Sequence, residues 1–79
     1  MTGKKIPLTQ FSSKKKGKIT SIEGGHGLQR KLRVMGLREG QIVRIVSRQP
    51  FRGPLTISTG NNYMTLGRGM ADKIIVEEL

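Results

Sequence analysis

Leu32-Arg33-Val34-Met35-Gly36-Leu37-Arg38-Glu39-Gly40-Gln41-Ile42-Val43-Arg44-Ile45-Val46-Ser47 is the stretch that decides the fold. It reads as the end of a short helix, a tight turn and a β-strand. Gly36 stands where a helix needs a left-handed residue to stop, because a residue without Cβ meets no steric penalty there. Leu37 follows it and is placed to fold back onto the last helical turn, the usual apolar partner of such a cap. Gly40 releases the backbone into a strand, Gln41 to Ser47, whose Val43 and Ile45 share one face.

Upstream, Leu28, Leu32 and Met35 fall at i, i+4 and i+7, one apolar stripe of a helix over 28–35. Gln29, Arg30 and Arg33 lie off that stripe and read as a basic outer face. Before the helix, Gly24-Gly25-His26-Gly27 lacks the Lys-Ser/Thr of a phosphate-binding loop and the spacing of a dinucleotide fingerprint, so it reads as a flexible turn, with anion binding the lesser alternative. Lys18 to Ile22 is β-branched between glycines and reads as the first strand. Ile19 and Ile22 cannot both face inward on a flat strand, which implies a bulge or an early end.

Downstream, Pro50 and Pro54 bracket a loop. Leu55 to Thr59 alternates with Leu55 and Ile57 inward, Gly60-Asn61-Asn62 suits a hairpin turn, and Tyr63 to Leu66 returns with Met64 and Leu66 inward. Residues 67–72 have room for one helical turn, and Lys73 to Glu77 closes the sheet against the first strand. Residues 1–6 read as a loose tail, and Lys14-Lys15-Lys16 as a solvated basic loop. Leu8 and Phe11 are worth burying across one end of the domain. The fold class is thus mainly β: a small, partly open five-stranded barrel with one short helix after the first strand, in a single domain over 7–79.

The 79 residues include no Cys, which excludes disulfides and thiolate metal sites, and no apolar run approaches the roughly 20 residues of a membrane span. Neither stable membrane insertion nor a signal peptide is expected, and the chain reads as cytoplasmic. Five carboxylates and one His, His26, show no spacing suited to acid–base or nucleophilic work, so no catalytic residue and no enzymatic activity are expected. Glu23 and His26 lie three apart, and Asp72 joins them only by folding, so no dedicated metal or cofactor site is expected either. Fifteen Lys and Arg against five Asp and Glu leave a net charge of +10, which favours an acidic partner: nucleic acid, an anionic membrane face or an acidic protein surface.

Taken together, Leu32-x-x-Met35-Gly36-Leu37-x-x-Gly40-x-x-Val43-x-Ile45, Pro50-Phe51-Arg52-Gly53-Pro54-Leu55 and Ala71-Asp72-Lys73-Ile74-Ile75-Val76 resemble the FeoA family, ferrous iron transport protein A. The resemblance runs from Pro7 to near the end of the chain. One departure is Arg52-Gly53, where the family pattern has Gly-Asp ahead of the second proline. The resemblance implies an SH3-like barrel in the cytoplasm that assists a separate membrane transporter of ferrous iron by binding and modulating its cytosolic GTP-hydrolysing part. The same fold also occurs as the C-terminal domain of iron-responsive repressors. On this reading Arg30, Arg33 and Arg38 supply a docking surface, with Pro50 and Phe51 as a loop anchor. Phe51 reads equally well as a lid on the end of the barrel. The alternatives are a basic SH3-like nucleic-acid-binding module and a protein with weak transition-metal binding.

Overall fold

The computed structural model describes residues 4–13 and 15–79. Six strands form one antiparallel sheet: β1 (Lys5–Pro7), β2 (Lys16–Ile22), β3 (Ile42–Arg48), β4 (Leu55–Thr59), β5 (Asn62–Leu66) and β6 (Ile74–Glu78). Their order is β1-β6-β2-β3-β4-β5. Among the described residues the sheet is accompanied by a 3-10 turn over Leu8–Gln10 after β1, by α1 (His26–Val34) between β2 and β3, and by the single turn α2 (Arg68–Ala71) before β6.

The last strand does return to the strand at residues 16–22, as the sequence implies. The sheet is nevertheless open and has six strands, which corrects the five-stranded barrel. The added strand is β1. Lys5, Ile6 and Pro7 pair with Glu77, Val76 and Ile75, so the segment read as a tail supplies an edge strand over Lys5 and Ile6. Residues 1–3 of that tail, and Lys14 of the basic loop, lie outside the described residues.

The turn that follows α1 carries the chain's main structural decision. Gly36 has φ 100°. The Gly36 amide donates to the Arg33 carbonyl (3.0 Å) and the Leu37 amide to the Leu32 carbonyl (2.9 Å), the two bonds of a Schellman cap. Leu32 and Leu37 are both fully buried, so the apolar contact expected beside such a cap is made inside the core. Gln41 closes the turn from its far side. Its Nε2 donates to the Gly36 carbonyl (2.8 Å) and its Oε1 accepts from the Arg38 amide (3.1 Å). The turn is then tied to β2, with the Gly40 amide on the Ile19 carbonyl (2.8 Å) and the Ile19 amide on the Gln41 carbonyl (2.9 Å).

The core is aliphatic apart from Phe11, built from Ile19, Val43, Ile45, Leu55, Ile57, Leu66, Ile74 and Val76 of the sheet, with Leu8, Phe11, Leu32, Leu37 and Ala71 laid against them. The sequence leaves open how Ile19 and Ile22 are both used. The β2–β6 register shifts between Ile19 and Ser21, and past that bulge Ile22 packs against the core in part. The segment after β1 is held by Arg48 of β3, which donates through Nη1 to the Thr9 carbonyl (2.8 Å) and through Nη2 to the Phe11 carbonyl.

Gly17 is a buried residue of β2, one position before the strand start that the sequence suggests. The ring of Phe11 lies over it, and a Cβ added at Gly17 would stand 2.8 Å from Phe11 Cζ. Interior positions of this kind do not absorb an extra methyl without displacing neighbours. Gly17→Ala should therefore destabilise the domain by about 1–3 kcal/mol, measured by urea unfolding. The loss should shrink in a Phe11→Leu background, where the ring no longer occupies the space.

Candidate functional site

The basic helix face is built by the same periodicity that buries the other side of α1. Leu32 is buried and Leu28 and Met35 pack partly against the core, so residues near 30 and 33–34 must point outward. Arg30 and Arg33 are exposed, and Val34, next to Arg33 in sequence and one turn on from Arg30, is 82% exposed. Sequence reasoning misses Val34, although its i+4 offset from Arg30 is a usable signal. Gln29 corrects the outer-face reading. Its Nε2 donates to the carbonyls of Ile22 (3.2 Å) and Gly24 (3.1 Å) and ties the helix to the end of β2.

Arg33 and Arg38 come together around one shallow hollow of about 210 Å³, lined also by Ile22, Gln29 and Glu39. Arg38 reaches it because the cap at Gly36 turns the chain back beside the helix end. The helix has no acidic residue in its first turn, while Lys31 and Arg33 occupy its last turn, where positive charge suits the helix dipole.

Pro50 and Phe51 belong to a different element, the β3–β4 hairpin, and are not part of that hollow. The hairpin tip is a four-residue turn in which the Gly53 amide donates to the Pro50 carbonyl (3.2 Å). Its two central residues both have positive φ, Phe51 at 58° and Arg52 at 62°. That is the pattern of a type I′ turn, which ordinarily takes Asn-Gly. Phe51 is 98% exposed, so of the two sequence readings the lid is not the one observed. An aromatic side chain stands in solvent on a backbone conformation that bulky residues rarely adopt.

The residues weighed for metal binding stay dispersed. His26 opens α1 and is exposed, Glu23 is exposed just before it, and Asp72 accepts a hydrogen bond from Thr9 Oγ1 (2.9 Å). Among the described residues, no three His, Cys, Asp or Glu side chains come together as a metal-binding group. No helix among them is long and apolar enough to cross a membrane.

Comparison with known proteins places this arrangement. A protein of Methanocaldococcus jannaschii provisionally named Fe(2+) transport protein A is 35% identical over 60 residues, 76% of this chain and 71% of its own. The crystal structure of an iron uptake regulatory protein, FeoA, superposes with a TM-score of 0.86 at 33% identity, covering 96% of this chain and all of that one. A manganese-dependent transcriptional repressor superposes at 0.88 with 20% identity over all of this chain and 44% of its own, a likeness of fold alone. The FeoA domain model matches residues 6–78, nearly the whole sequence, and the chain belongs to the FeoA family of ferrous iron transport proteins.

Proposed function

We propose that this protein is a cytoplasmic, non-catalytic accessory of ferrous iron uptake that docks on the cytosolic GTP-hydrolysing part of the iron transporter and modulates it. The observation that carries this reading is the α1 face. The exposed Val34 follows Arg33 in sequence and lies one turn on from Arg30, and Arg38 adjoins Arg33 across a shared hollow. Apolar contact together with cations is the make-up of a modest, electrostatically steered interface, and it needs no reactive group. Family membership favours a ferrous iron transporter as the partner, and the net charge of +10 suits long-range attraction to an acidic surface. Phe51 and Pro50 provide a second point of contact on the hairpin tip.

The test is a stopped-flow or surface-plasmon measurement of association with the purified cytosolic transporter domain. Arg30→Glu combined with Arg33→Glu should slow association at least about tenfold at low ionic strength, and added salt should slow the unaltered protein towards the same rate. A rate indifferent to both changes would remove this face from the interface. Both residues are exposed, but Arg33 lies in the last turn of α1, where a negative charge opposes the helix dipole, so folding stability should fall by about 1 kcal/mol, too little to unfold the domain.

A further inference from the structure

The acidic residues of the chain are unevenly placed. No Asp or Glu occurs anywhere from Gly40 to Ala71, a stretch that carries Arg44, Arg48, Arg52 and Arg68. This stretch includes all of β3, β4 and β5. Their inward side chains fill the core, and on the outward face Ile42, Arg44, Tyr63 and Thr65 are exposed, and Thr56 and Ser58 half-buried.

Register sets these side chains in rows. Lys16 pairs with Arg44, Arg44 with Ser58, and Ser58 with Tyr63, so one row crosses four strands as cation, cation, hydroxyl, aromatic. The row lines a hollow of about 470 Å³, completed by Ile42 and Gly60. The next row adds a hydroxyl pair, Thr56 Oγ1 and Thr65 Oγ1 at 3.0 Å. Among the described residues the ion pair formed is Lys15 with Glu78 (2.9 Å), which leaves the charges of Lys16 and Arg44 without a carboxylate. Tyr63 is 70% exposed on the edge strand, two strands from Arg44, about 10 Å at ordinary strand spacing.

We infer that the outer face of β2–β5 binds single-stranded nucleic acid, with phosphates on Lys16 and Arg44 and a base stacked on Tyr63. Cations alone would suit any acidic partner. The aromatic ring set at a fixed step from them, with hydroxyl groups between, is what selects an anion that also carries a planar base. This surface uses none of the residues of the docking face on α1, so the two readings stand or fall separately.

Fluorescence anisotropy with labelled oligouridylate and oligothymidylate, at low and moderate salt, tests the inference. Tyr63→Ala should weaken binding roughly 5- to 100-fold, and Tyr63→Phe should retain it, since the ring rather than the hydroxyl stacks. Arg44→Gln should reduce the slope of log affinity against log salt by about 0.7, the loss of one phosphate contact on a single strand. Tyr63→Ala should leave association with the transporter domain unchanged. Binding of either oligonucleotide with this dependence on the ring sustains the inference. Absence of binding, an affinity indifferent to Tyr63→Ala, or equal binding of polyglutamate and inorganic polyphosphate would overturn it.

Discussion

Leu37→Ala should cost about 3 kcal/mol of folding stability, within the range of roughly 2–5 found for leucines truncated in well-packed cores. Leu37 is fully buried, and it serves the fold in two ways at once. Its amide closes the Schellman cap on the Leu32 carbonyl, and its side chain packs beside Leu32 where helix and sheet meet. Alanine keeps the amide bond and gives up the packing, so the loss measures contacts at that junction rather than helix termination. A domain of 79 residues has a melting temperature that moves by about 4–8 °C per kcal/mol, so a fall of roughly 10–25 °C is expected in calorimetry. Leu37→Met, which nearly conserves volume, should cost less than about 1.5 kcal/mol. Gly36→Ala isolates the cap, since it retains every apolar contact and forces a Cβ into the left-handed region, at roughly 1–2 kcal/mol. A Leu37→Ala loss no larger than that of Gly36→Ala would mean that the helix end is held by its cap and not by the core.

That junction is also the part of the fold most legible in the chain. Gly36-Leu37 after the Leu28, Leu32, Met35 stripe encodes a cap, a buried partner and a direction of exit, all within ten residues, so local rules suffice. The alternation in Leu55–Thr59 and Asn62–Leu66 is equally local, and the hairpin forms in the register it implies, Ile57 opposite Met64. β1 is not legible, because Lys5-Ile6-Pro7 is too short to show a period and its pairing is with β6, some seventy residues away. Gly17 is opaque for the same kind of reason. Nothing near it in sequence announces that the ring of Phe11 will close against it. Of the residues proposed for docking, the outward placement of Arg30 and Arg33 follows from helical spacing, whereas the meeting of Arg33 with Arg38 depends on how tightly the cap turns. The left-handed pair at Phe51 and Arg52 runs against local propensity. Without Gly or Asn at either position, sequence rules offer no reason for a type I′ turn there.

Replacing Phe51-Arg52 by Asn-Gly should raise stability while lowering partner affinity, and the conjunction is the informative result. In the native turn each central residue holds a positive φ against a steric cost of roughly 1–2 kcal/mol. Asn tolerates that region and Gly occupies it freely, though Gly gives back about 0.5–1 kcal/mol in chain entropy. The net gain expected is about 1–2 kcal/mol, or some 5–15 °C in melting temperature. Phe51 is 98% exposed and so contributes almost no packing that the exchange could remove. Backbone strain at an unburied residue is a feature that clusters at functional sites, which makes the Phe51 side chain a candidate contact. As the anchor of an interface, a lone projecting aromatic is the kind of residue whose removal costs about 2 kcal/mol or more, roughly thirtyfold in dissociation constant. Phe51→Ala should therefore weaken binding to the transporter's cytosolic domain nearly as much as the double exchange, yet leave stability close to its starting value, because alanine keeps the unfavourable φ. A stabilised Asn-Gly variant that binds as before would show that the hairpin tip takes no part in docking. An Asn-Gly variant with no gain in stability would show instead that the turn is relaxed, and the case for Phe51 as a retained, costly contact would fail with it.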